Sequence, residues 1–242
     1  MRVFKNENPD PKKMRNAALF FLVFIGFGLA LDSVYFAMYF FEGRWLINIF
    51  AIGHFLYFFY AAGTKLRRLM FLMVPLSYLW EEMFCNLFDM YDYRNKQIPL
   101  YVPFGHALLY ATGWVCSKAE WARQHEQSLT KFFIVFFAVV LIGVGLVFDD
   151  VLTLIYALLF YLVMRRKKWA NFYFVMGLWV IVLELVGTYY QCWAWHPVVF
   201  CYIPTVNPPL GALVIYVCGD IVLNKLEFSI ARGSIRMKAA SG

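Results

Sequence analysis

The sequence predicts an all-α polytopic membrane protein, about eight transmembrane helices arranged as two parallel four-helix repeats. Three observations carry this prediction. Of 242 residues, 62% are hydrophobic and 15% charged, against about 45–50% apolar and about 25% charged in an ordinary soluble domain. The basic residues cluster between apolar runs with a constant polarity. The same motifs recur in the same order in the two halves.

A helix crosses the hydrocarbon with about 20 apolar residues. Eight segments qualify: roughly 17–41, 45–63, 69–90, 99–117, 131–148, 150–164, 169–190 and 208–224. The first apolar run is too long for the h-region of a signal peptide and reads as an anchor. With eight spans, the basic runs PKKMR, TKLRR, Lys118 to Lys131, MRRKK and Lys225 to Lys238 all fall on one side. That side holds 19 of the 22 Lys and Arg; Arg44, Arg94 and Lys96 are the exceptions. The positive-inside rule then places both termini in the cytoplasm, and the expected location is a bacterial inner membrane. The net charge of +7 is thereby absorbed by topology and lipid headgroups, and no nucleic acid is expected. The chain divides into a cytoplasmic N-terminal segment (1–16), a first repeat (17–117), a cytoplasmic linker (118–130), a second repeat (131–224) and a basic cytoplasmic tail (225–242).

The repeats match at several points. IGFGLALD at 25–32 returns as IGVGLVFD at 142–149, and IPLYVPFGHAL at 98–108 as IPTVNPPLGAL at 203–213. EMFCNLFDMYDY at 82–93 returns as ELVGTYYQCWAW at 184–195, pairing Glu82 with Glu184, Asp89 with Gln191, and Tyr91 and Tyr93 with Trp193 and Trp195. Four spans per half, an even number, makes the repeats parallel, with a pseudo-twofold axis along the membrane normal.

The candidate catalytic residues are Glu82, Glu184, Asp32, Asp149 and His106, all expected in the outer half of the bilayer. A carboxyl inside a span costs roughly 2.5–3.5 kcal/mol on insertion scales, so these acids should face the bundle interior, where a neutral carboxyl can donate a proton. Tyr91, Tyr93, Trp193, Trp195 and His54 are the candidate substrate-lining residues. A second reading stays open for each: the Asp pair as helix caps, the Glu pair as acceptors for freed backbone, the aromatics as an interfacial belt, His54 as a donor to a carbonyl. His106 has no counterpart in this alignment, where Gly211 falls opposite. No HxxxH, HExxH or ExxH spacing points to a metal, and no GxGxxG or Walker pattern to a nucleotide; no cofactor is expected. There are five Cys and no CxxC. Cys192 and Cys201 share a predicted outer loop and can pair in an oxidising compartment; Cys85, Cys116 and Cys218 read as packing residues.

WEEMF at 80–84 and LELVG at 183–187, within a duplicated membrane unit, resemble the membrane lycopene cyclase type of carotenoid enzyme. The layout is also similar to the carotenoid hydratase membrane proteins, with a Glu followed by aromatic-x-aromatic and then Pro. The Glu184–Trp193–Trp195 spacing is similar to part of the A subunit of particulate methane monooxygenase. The cyclase resemblance covers 80–110 and its repeat. It departs from the pattern in having one Glu in the second copy and no Pro directly before the acids. It implies proton transfer from Glu82 or Glu184 to a polyene, with the other carboxyls deprotonating a cation stabilised by Tyr91, Trp193 and Trp195. The expected partners are membrane lipids, an apolar lipid or isoprenoid substrate, and other membrane proteins. Two further functions compete: an accessory or assembly subunit of a membrane complex, and a proton-coupled carrier. The apolar look of the cytoplasmic half-spans counts against the carrier.

Overall fold

The structure is a computed structural model describing residues 8–168 and 170–240, with side chains to residue 232. Residues 1–7 of the expected N-terminal segment and the last two of the basic tail lie outside the described residues. The chain is mostly helical. In order it runs α1 Pro11–Leu31, α2 Val34–Tyr39, α3 Arg44–Ala61, α4 Thr64–Glu81, a π turn Glu82–Leu87, β1 Tyr91–Tyr93, α5 Tyr101–Ser117, α6 Glu120–Gln124, α7 Glu126–Val147, α8 Val151–Arg166, α9 Asn171–Tyr189, β2 Trp193–Trp195, β3 Val198–Val199, β4 Ile203–Pro204, a 3-10 turn Leu210–Ala212 and α10 Leu213–Ala240.

Among the described residues, the eight helices of 16 residues or more lie on the eight predicted apolar segments. Three of them, α1, α7 and α9, are long and apolar enough to cross a membrane. Their outward faces are apolar too. Phe20, Val23 and Phe27 on α1, and Phe132, Val135, Val139 and Leu146 on α7, are exposed at helical spacing. A water-facing helix would carry charge there.

Local signals set the boundaries. Asp10 caps α1 by accepting from Lys13 N, with Pro11 in the first turn. The first predicted span does not run through to residue 41. It stops at Asp32, and Ser33 starts the short α2 by accepting from Phe36 N at 2.9 Å. Asp150 starts α8 by accepting from Thr153 N at 3.0 Å. Asp89 and Gln191 both adopt positive φ, 50° and 56°. Each turns the chain out of a helix into the strand that follows, the left-handed exit polar side chains tolerate.

The halves pack alike. α4 lies on α5 as α9 lies on α10, and α1 on α3 as α7 on α8; across the halves, α5 meets α9 and α4 meets α10. Close approach is secured where glycine meets indole, Gly187 under Trp193 and Gly219 under Trp80. A side chain at either glycine would collide with the indole ring.

Basic residues gather at one end. Arg67 donates to the last carbonyls of α3, Phe59 O at 2.9 Å and Tyr60 O at 2.6 Å. Lys65 and Lys118 both stand over the Trp114 ring, at 5.5 and 3.6 Å. Arg68 joins α4 to α10 through Glu227 at 2.6 Å. The strands and the 198–209 hairpin close the opposite end.

Candidate functional site

β1 and β2 pair antiparallel, Tyr91 opposite Trp195 and Tyr93 opposite Trp193, with Asp92 and Ala194 at the centre. The two aromatic-x-aromatic segments therefore pair with each other. Alternation along a strand sends both aromatics of each copy to one face, here the interior. All four are at most 8% exposed. They do not form an interfacial belt; their polar tips point at two carboxylates.

Glu184 Oε2 accepts from Trp193 Nε1 at 2.9 Å and Trp195 Nε1 at 3.0 Å, and its Oε1 from Tyr216 OH at 3.2 Å. In the other half, the acid that receives Tyr91 OH (2.7 Å) and Tyr93 OH (2.8 Å) is Glu81, on Oε2. Its Oε1 lies 3.0 Å from His106 Nε2. The expected Glu82 is outside this set: it takes a hydrogen bond from Asn86 Nδ2 at 2.5 Å on the flank of the π turn. The reason is geometric. The π turn admits one extra residue between acid and strand, so the spacings of ten and twelve from Glu81 do the work of nine and eleven from Glu184.

His106 and Tyr216 stack almost parallel, ring centroids 5.0 Å apart at 6°. The partner of His106 in the second half is thus Tyr216, not Gly211. The hairpin β3–β4 (Val198 on Pro204, Val199 on Ile203) adds residues that displace the linear alignment. Gly211 packs on Thr153 and accepts no role at the carboxylates; its N–H donates to Thr153 Oγ1 at 3.0 Å.

The remaining predicted residues separate. Asp32 is fully buried, but at the end opposite the basic one, where Arg44 Nε (2.8 Å), Arg94 (2.9 Å) and Tyr101 OH (2.8 Å) converge on it. The two arginines that break the charge pattern are its counterions. Asp149 is exposed in the turn after α7; the buried acid there is Asp150, which also accepts from Thr205 Oγ1 at 2.9 Å. His54 ties α3 to α1 by Nε2 to Ala17 O at 3.0 Å, among Phe20, Phe21 and Phe24. Cys192 is buried against Leu29 O at 3.2 Å while Cys201 is exposed, and both thiols are free.

An apolar cavity of about 70 Å³ lies between α1, α3, α5 and α9, and Tyr91, Tyr93, His106, Glu184, Trp193 and Tyr216 contribute its polar wall. Behind it, a space of about 30 Å³ is lined by Trp80, Glu81, His106, Glu184, Trp195 and Asp220. Asp220 belongs to a polar line on α10 that the sequence reading missed by treating this half-span as apolar. Asn224 Nδ2 donates to Asp220 O at 2.7 Å, and Tyr110 OH to Asn224 Oδ1 at 3.1 Å.

Chemically, Glu81 with His106 is a carboxyl–imidazole pair whose hydrogen bond can hold one proton and pass it between the two groups. Glu184 receives donors and no cation. Among the described residues no group of three or more His, Cys, Asp or Glu side chains is arranged to hold a metal ion. No known protein family, curated protein or solved structure matches the chain.

Proposed function

We propose that the chain is an integral membrane enzyme, eight spans in two parallel four-helix repeats with the basic end cytoplasmic, acting by proton transfer on an apolar isoprenoid or other lipid. The observation that carries this reading is the placement of His106 and Glu184 on one apolar cavity, with Glu81 hydrogen-bonded to His106 on the small space behind it. His106 with Glu81 delivers and recovers the proton. Glu184, fixed by two indole N–H groups, faces the positive charge that protonation of a double bond creates, and the surrounding rings add cation–π stabilisation. The substrate end enters laterally from the bilayer, parting the apolar side chains of α1 and α3 that line the cavity. No cofactor is needed for such a proton shift.

The test is to express the chain in cells supplied with isoprenoid and other lipids and follow the lipid extract by mass spectrometry. A positioned acid–base group contributes about 10²–10⁴-fold. Glu81→Gln and His106→Phe should each lose conversion by that order, with the protein still in the membrane. Equal product profiles for wild type and both variants would sink the proposal.

The competing reading, a subunit of a larger membrane complex, draws support from Glu184, whose acceptor positions are filled by three donors of its own half. That reading expects a stoichiometric protein partner on gentle purification and no change of lipid in the same variants.

A further inference from the structure

Asp220 lies on α10, one turn beyond Tyr216, and is 2% exposed. Its Oδ2 has no hydrogen-bond partner among the described residues. The titratable groups around it are Glu81 on α4, Tyr91 on β1, His106 and Tyr110 on α5, Tyr173 and Glu184 on α9, and Tyr216 and Cys218 on its own helix. None is a lysine or arginine. A buried carboxyl without a counterion is cheapest in its neutral form, with a proton on the group. The space it shares with Glu81 and His106 is about 30 Å³, room for about two waters at 10–15 Å³ each.

We propose that Asp220 is the proton reservoir of the site, holding one exchangeable proton that passes through water in this space to Glu81 or His106. The proposal rests on the acid–base reading of those residues. In the transfer, Asp220 goes from carboxylic acid to carboxylate while Glu81 goes from carboxylate to carboxylic acid. One proton moves, one negative charge moves the other way, and no redox partner enters. Refilling follows the α10 face that carries residues 220, 224 and 227, spaced i, i+4 and i+7. This face reaches the basic end, where Glu227 meets Arg68.

Infrared spectroscopy of the protein in lipid nanodiscs tests this without substrate. Wild type at neutral pH should show the carbonyl stretch of a protonated carboxyl that shifts in D₂O. The wild type minus Asp220→Asn difference should contain that band, and Asp220→Glu should restore it. In cells, conversion should fall on the order of 100-fold in Asp220→Asn and recover in Asp220→Glu. A difference spectrum without the band, a band that never exchanges, or full conversion by Asp220→Asn overturns the proposal. Should wild type convert no lipid, the acid–base reading fails on its own. The spectrum then still decides whether Asp220 holds the proton, and a missing band overturns that as well.

Discussion

Two indole N–H groups end on a single oxygen, Glu184 Oε2. An indole can only donate, so this oxygen must accept twice. In Glu184→Gln the amide oxygen can take over both bonds, whereas Glu184→Leu leaves two buried donors unpaired, at about 1–3 kcal/mol each. Thermal unfolding should find the Gln variant near wild type and the Leu variant markedly lower, with tryptophan emission shifted only in the latter. At the end opposite the basic one, the hydrogen bond from Arg94 holds the Glu42 carboxyl below its usual range. A depressed carboxyl stabilises the fold above its ordinary value of about 4.3, and the contribution is lost as pH falls through the lower folded value. Glu42→Gln should therefore lower stability slightly at neutral pH, leave it unchanged at pH below the folded value, and so flatten the acid limb of the stability profile. The effect should be small, because the side chain is half exposed.

Single residues also decided what the sequence could reveal. In each half an acid followed by an aromatic pair was legible, yet linear matching chose Glu82 over Glu81 and Asp149 over Asp150. Counting along the chain cannot see a π turn, nor which of two adjacent acids a helix end points inward. Arg44 and Arg94 were visible as exceptions to the charge pattern. Their partner Asp32 lies 12 and 62 residues away, a distance composition does not encode.

Among the elements, the helices were the most readable, because an apolar run of span length has few alternatives. The three-residue strands were not. Each is shorter than any alternation worth scoring, and they pair across a hundred residues. The hairpin β3–β4 hid Tyr216 in the same way, by displacing the alignment. The π turn makes a prediction of its own. If its extra residue is what separates the two spacings, deleting Met83 should return the segment to ordinary helix at modest cost in stability. The deletion would leave Glu81 nine and eleven residues before Tyr91 and Tyr93, the spacing of Glu184 from Trp193 and Trp195, and so keep it in the site. A matched deletion inside α5, which carries no π turn, should unfold the protein. Circular dichroism and thermal melts of the two deletions decide this.

For the whole molecule, the basic residues clasp one end and the strands close the other. This geometry fits the proposed orientation, and it is open to test. Cys201, at the strand end, is the exposed thiol among the five. A membrane-impermeant maleimide should label it in intact cells or spheroplasts, and Cys201→Ser should abolish the labelling. Labelling only after permeabilisation would invert the orientation.

The ladder between β1 and β2 joins like to like: aromatic faces aromatic at both ends, and the centre falls between Asp92 and Ala194. A surface that meets its own copy in this fashion is the mark of an isologous dimer. On the proposed two-repeat architecture, a half-length chain could make this contact with a second copy of itself. Chains 1–122 and 123–242, produced together, should find each other in the membrane and copurify, held by the strand pair and by α5 on α9.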